Sequence, residues 1–341
     1  MIKPCLVLLF CCTMGSLFFS GLHSQNSIKN QFNDNSQMIA PPYLKSGDTV
    51  AIVAPSGILK NRQAEINRAV KLLESWGLHA SLGEHIYRDA YHFAGTDDQR
   101  CEDFQNALNQ PHIKAIWCAR GGYGAVRIID KLDFTRFKSQ PKWIIGYSDI
   151  TAIHNVVHNL NIQSIHGMMC TSLSDNFMAT EASKTSLKHA LFGKALTYDL
   201  KGSKYNKEGE AKGILVGGNL TLLQNMLGSS SSISTAGKIV FIEEIGEYKY
   251  HIDRLLQSLK RAGYFNGCKG VLVGDFTKIK RNTTSWGTTT EQLILDALDE
   301  YNFPIAFNMP AGHENDNRAL VLGAHIKLKV EKSNSELAFL K

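Results

Sequence analysis

Trp143-Ile144-Ile145-Gly146-Tyr147-Ser148-Asp149-Ile150-Thr151 holds an apolar strand, a sharp turn and a helix start in one short run. The helix is expected to continue to about Asn159. The same unit recurs upstream. Asp48 to Ala54 is a short apolar strand ended by Pro55-Ser56-Gly57. Residues 61–76 place Ala64, Ile66, Ala69, Val70, Leu72 and Leu73 at helical spacing, and Gly77 stops them. Gly95-Thr96-Asp97-Asp98 reads as a helix start leading into 99–109. Ile113 to Ala119 is the next strand, and Gly124 to Leu132 the next helix. Alternating strand and helix predicts an α/β fold with a parallel sheet covered on both faces.

The pattern changes downstream. Phe192-Gly193-Lys194 closes a helix, and 200–210 is polar and glycine-containing, like a linker. Short strands follow at 212–216, 238–243, 269–274 and 325–330. Helices are expected at about 219–227, 250–262 and 289–300. This half reads as mixed α+β. The expected order is an N-terminal α/β domain at 41–195, a linker at 196–211 and a C-terminal domain at 212–341.

Length and composition narrow the function classes. The 341 residues suit about two domains. With 43% hydrophobic and 20% charged residues the composition is that of a folded protein, which excludes intrinsic disorder. No long repeat is apparent. The net charge of +6 is mild, and Lys and Arg are scattered, so no nucleic-acid partner is expected. Met1 to Ser24 reads as a secretory signal, with Lys3 ahead of an apolar run from Cys5 to Phe19. Residues 25–40 read as a flexible tail. An exported, periplasmic protein without stable membrane insertion after signal cleavage is the expectation. Of the seven cysteines, Cys101, Cys118, Cys170 and Cys268 would remain, with no disulfide or zinc spacing, as buried free thiols.

Four segments could carry chemistry. In Gly146-Tyr147-Ser148-Asp149 a serine sits on a strand-to-helix turn, as in a nucleophile elbow, although Asp149-Ile150 follows it and the second glycine of Gly-x-Ser-x-Gly is missing. The helix N–H groups there can hold an oxyanion. A serine at a helix start is more often simply an N-cap. Ala119-Arg120-Gly121-Gly122-Tyr123-Gly124 also joins a strand to a helix. Such a loop lets backbone approach an anion, or is only a tight turn. Its N–H groups could complete an oxyanion hole, and Arg120 could meet a carboxylate. Lys238 to Glu244 is an apolar strand ending in two acids, placed either to orient a histidine or to face solvent. His313, in Pro310-Ala311-Gly312-His313, has room to act as a base, though a lone loop histidine is usually just exposed. His154 and His158 share a helix face but lack a third ligand, so no metal and no cofactor are expected.

Together the four segments resemble the LD-carboxypeptidase family of serine peptidases, which includes the microcin-immunity-type enzymes. Val53-Ala54-Pro55-Ser56, Gly95 to Arg100 and Gly217-Gly218-Asn219-Leu220 add to the likeness, which runs from about Pro42 to the C-terminus. The resemblance implies a flavodoxin-like N-terminal domain and a barrel-like C-terminal domain with the site between them. It implies a Ser148-Glu243-His313 triad, with Glu244 and Glu247 as fallbacks for the acid. It implies an oxyanion hole from the N–H groups of Asp149 and Gly122, and Arg120 and Gly121 in substrate binding. The implied reaction is hydrolysis of the amide between the L-centre of the diamino acid and the terminal D-Ala of a murein tetrapeptide, through an acyl-enzyme. The implied partner is the muropeptide substrate, and a homodimer is compatible with the likeness. The alternatives are another small peptide conjugate as substrate, or muropeptide binding without turnover. A nucleotide-binding flavodoxin-like protein would rest on fold analogy alone.

Overall fold

A computed structural model describes residues 37–340. The expected signal and most of the expected tail lie outside the described residues. Strands β1 (Thr49–Val53), β2 (His79–Leu82), β3 (Ile113–Cys118), β4 (Trp143–Gly146) and β5 (Ser164–His166) come first. A small hairpin follows, β6 (Leu173–Ser174) and β7 (Phe177–Met178). Then come β8 (Thr197–Lys201), β9 (Gly209–Asn219), β10 (Ile239–Ile245), β11 (Gly270–Thr277) and β12 (Ile305–Ala306). The last are β13 (Leu320–Leu322), β14 (His325–Val330) and β15 (Asn334–Phe339). The helices are α1 (Gln63–Ser75), α2 (Asp97–Asn109), α3 (Thr135–Ser139), α4 (Thr151–Asn159), α5 (Glu181–Leu191), α6 (Leu220–Asn225), α7 (Lys249–Arg261) and α8 (Thr290–Ala297).

The first sheet runs β13-β5-β4-β3-β1-β2. Strands β1 to β5 are mutually parallel, and β13 adds antiparallel to β5. The order 2-1-3-4-5 is that of flavodoxin-like sheets, whose crevice opens where the order reverses, between β1 and β3. Strand β4, and β3 beyond its exposed Lys114, are continuously apolar because both of their faces are covered. Helix α2 begins where the sequence predicts. Thr96 Oγ1 accepts from Gln99 N–H, and the Gln99 side chain returns the bond to Thr96 N–H.

The second sheet runs β12-β11-β10-β9-β14-β15-β8. Its parallel half, β9 to β12, continues into an antiparallel half through β14. The likeness implied a barrel-like domain. Here Lys207, in the connection from β8 to β9, exchanges N–H···O bonds of 3.0 Å with Ile305 of the end strand β12.

Three expectations need correction. Gly124 to Leu132 is not one helix but two short 3₁₀ turns, Ala125–Arg127 and Ile129–Lys131. Gly124 enters them at φ +145°, outside helical space. The expected linker at 196–211 is built into the second sheet, since Thr197–Lys201 is its edge strand and Gly209 already begins β9. The chain also returns to the first sheet through β13, so residues 320–322 belong with β5. One apolar core accordingly runs through both sheets, from Val50 and Trp117 to Phe241, Ile326 and Leu337.

Candidate active site

Strand β4 ends at Gly146, and the chain turns at Ser148 into a 3₁₀ turn and then α4. Ser148 has φ +62°, in the left-handed region that a side chain rarely occupies. This is the strained strand-to-helix turn that lifts a serine hydroxyl clear of the sheet end. Ser148 is half-buried, while Asp149 and Tyr147 on either side are buried.

The loop after β3 closes over this turn. A Cβ added to Gly121 would lie 3.2 Å from Ser148 Cβ and 3.4 Å from its Oγ, so the serine occupies the space a side chain would need. Gly121 C=O accepts from Gly57 N–H at 3.0 Å, which ties the loops after β1 and β3 together across the crevice. Gly122, at φ +101°, is exposed. Arg120 donates to Ile58 C=O through one Nη, and its other N–H groups have no partner among the described residues. Burial, with Arg62 nearby, lowers the Arg120 pKa.

Asp149 anchors the arrangement from beneath. Its Oδ2 accepts from Ser56 Oγ at 2.5 Å and from Ala125 N–H at 2.8 Å. Burial raises its pKa, opposed by those donors and by Arg100. Arg100 is itself buried and donates to Pro55 C=O and Gly124 C=O. One carboxylate and one guanidinium therefore fix both loops that border Ser148.

The second sheet contributes the other half. His313 Nδ1 lies 2.7 Å from Glu243 Oε2, on a fully buried carboxylate at the end of β10. Glu244 points the other way, as adjacent strand residues must. It accepts from Thr221 N–H, Thr221 Oγ1, Asn219 Nδ2 and Ile245 N–H. Glu247 pairs with His251 at 2.5 Å. Of the three acids, only Glu243 reaches His313. The His313 ring stands edge-on to Tyr147 with centroids 4.9 Å apart, next to Ser148 in the chain. Among the described residues no hydrogen bond joins Ser148 Oγ to the imidazole. Such bonds are often looser before substrate binds.

The His313 pKa is raised. Burial pushes it down, and the Glu243 charge and hydrogen bond, with the charges of Glu244 and Asp275, more than offset that. Asp275, at the end of β11, has its carboxyl pushed up to about 7, first by burial. Its Oδ2 accepts from Glu314 N–H at 3.2 Å. Sequence reasoning missed Asp275, although it follows an apolar strand just as Glu243 does. It also gave no role to Ser56 and Arg100, both within quoted motifs.

The two helix histidines do not form a site. His154 is buried, with Nδ1 on Ser164 Oγ and Nε2 on Gly146 C=O, and burial pushes its pKa to about 4. His158 is pushed down to about 4 by burial as well. Among the described residues no group of three or more His, Cys, Asp or Glu is placed to hold a metal ion. Cys118, Cys170 and Cys268 are buried free thiols, and Cys101 is half-buried.

A serine at a strained turn, a glycine loop beside it and a carboxylate–imidazole pair make an arrangement that can carry serine-hydrolase chemistry. The LD-carboxypeptidase N-terminal domain matches residues 50–167, and the LD-carboxypeptidase C-terminal domain matches residues 212–328. The chain belongs to the LD-carboxypeptidase family of serine peptidases. It is 34% identical over 290 residues to the Bacillus subtilis "Probable murein peptide carboxypeptidase", covering 83% of this chain and 89% of that one. It is 30% identical over 286 residues to the murein tetrapeptide carboxypeptidase of Pseudomonas aeruginosa, covering 80% and 91%. The fold matches the crystal structure of a muramoyltetrapeptide carboxypeptidase from Oxalobacter formigenes, with a TM-score of 0.78 at 24% identity over 86% of this chain and 99% of that one.

Proposed function

We propose that this enzyme hydrolyses the amide between the L-centre of the diamino acid and the terminal D-Ala of murein tetrapeptides. The names of its relatives support the substrate class. Three observations support the mechanism: the strained Ser148, the His313–Glu243 contact, and the His313 ring against Tyr147, the residue before the serine. His313 Nε2 takes the Ser148 proton as Oγ attacks the carbonyl carbon. Glu243 holds the Nδ1–H tautomer and stabilises the imidazolium. The N–H groups of Asp149 and Gly122 hold the oxyanion. The C–N bond breaks, and the departing D-Ala amine takes its proton from His313. Water, deprotonated by His313, then cleaves the acyl-enzyme ester to give the tripeptide. Arg120 meets the terminal carboxylate through its unpaired N–H groups. Read as a signal, residues 1–24 put this reaction outside the cytoplasm, which fractionation of cells carrying the full chain tests.

The experiment is incubation with L-Ala–D-Glu–meso-diaminopimelate–D-Ala, followed by mass spectrometry. Tripeptide and free D-Ala in equal amounts are expected. An intact tetrapeptide after incubation with folded protein would overturn the assignment.

A further inference from the structure

A second concave site lies beyond the strand ends that carry Glu243 and Asp275. It is a cavity of about 630 Å³ lined by Tyr248, Tyr250, Trp286, Asn282 and the hydroxyl residues 283–285. That volume lies within the small-ligand range of roughly 300–1,000 Å³. Neither Ser148, Glu243 nor His313 lines it.

The lining has a definite chemistry. The Tyr248 and Tyr250 rings stack at 5.6 Å between centroids and 28° between planes. Tyr250 is 41% and Trp286 38% exposed, a large share for such side chains. Lys280 Nζ sits 5.3 Å over the Tyr248 ring, and the Arg254 guanidinium 5.4 Å over that of Tyr250. These cations engage the rings but do not line the cavity. Flat aromatic faces suit the C–H faces of a pyranose. Amide and hydroxyl side chains suit its hydroxyl and N-acetyl groups. The lining itself is aromatic, amide and hydroxyl, with Lys280 and Arg254 held over the rings behind it.

The chain places this cleft within reach of a ligand that continues from the stem peptide. Tyr248 follows Glu243 by five residues and pairs with Lys280, which follows Asp275 by the same interval. Five residues span at most about 18 Å. In a glycan-linked tetrapeptide three residues separate the scissile carbonyl from the sugar, roughly 11 Å when extended. We infer that this aromatic cleft binds the N-acetylated amino sugar carried by the stem peptide, so that the enzyme prefers glycan-linked tetrapeptides to free ones. The inference rests on the murein reading above.

The test compares kcat/KM for the disaccharide-linked and the free tetrapeptide, in the wild type, Tyr250→Ala and Trp286→Ala. It adds calorimetry of Ser148→Ala with the peptide-free disaccharide. The wild type is expected to favour the glycan-linked substrate about tenfold through KM. Each aromatic variant should bring that ratio near one, and the disaccharide should bind Ser148→Ala but not its Trp286→Ala double variant. A wild-type ratio near one with no disaccharide binding would overturn the inference and leave the murein reading intact. Disaccharide binding without cleavage of either tetrapeptide would support the cleft while overturning that reading.

Discussion

His313 Nδ1 lies 2.7 Å from Glu243 Oε2, while Glu243 Oε1 is buried without a hydrogen-bond partner among the described residues. The carboxylate thus directs its one described bond to the imidazole. The two residues are 70 apart in sequence and on different elements, so the sheet order creates this contact.

That contact sets a pH dependence. The folded His313 pKa is raised above 6.5, and the base must be neutral to take the serine proton. The acid limb of kcat/KM should therefore lie above pH 6.5, with activity rising as His313 deprotonates. Glu243→Gln should move the limb to lower pH and cut kcat by roughly 10³–10⁴. Asp275→Asn should move it the same way by a smaller amount, because Asp275 is among the lesser charges raising His313. The stability linkage has a fixed sign. A raised histidine pKa adds stability that is full below pH 6.5 and lost as pH rises through the folded value. Profiles of the three proteins between pH 5 and 9 check this.

Gly121 has no room for a side chain beside the serine. Gly121→Ala would place a methyl 3.2 Å from Ser148 Cβ and 3.3 Å from Met169 Cε. We expect kcat to fall about 10²-fold, the scale of a misplaced reacting group. Stability should change by about 1 kcal/mol or less, since Met169 can yield. Steady-state kinetics beside a urea melt separates the two effects.

Arg100 fixes both loops that border the serine. Arg100→Met would strand the carbonyls of Pro55 and Gly124 and remove a charge facing Asp149. Because these groups are buried, a loss of roughly 3 kcal/mol is expected from the urea midpoint.

Ser148 pays for its position with backbone strain. Ser148→Gly should remove turnover yet raise stability by up to about 1 kcal/mol, because glycine tolerates φ +62°. A thermal melt showing a clear loss would mean that the turn is held by the serine side chain instead.

Much of this was legible in the sequence, and the reasons are local. Strands β1, β3 and β4 show as short, mainly apolar runs, α1 as helical spacing, and α2 as the helix start Gly95-Thr96-Asp97-Asp98. Strands β2 and β5, His-Ala-Ser-Leu and Ser-Ile-His, are short and carry polar residues. Strand β8 is a half-polar edge, Thr-Tyr-Asp-Leu-Lys, which is how edges resist mispairing and why it passed for a linker. Ser148, Glu243 and His313 each stood out by residue type and loop context. Their juxtaposition came from the family resemblance and not from the residues themselves, since it depends on which strands become neighbours. The choice between Glu243 and Glu244 needed the register of β10, because a shift of one residue exchanges the two faces. Asp275 offered the same signal as Glu243, an acid after an apolar strand, and was passed over.

Ser148 and His313 acting as one unit is the claim on which the mechanism stands. It is tested by kcat on the free tetrapeptide for Ser148→Ala, His313→Ala and the double variant. Each single variant should lose at least about 10⁴-fold, and the double variant should lose no more than either alone. Turnover by Ser148→Ala within about tenfold of the wild type, or losses that multiply in the double variant, would contradict it.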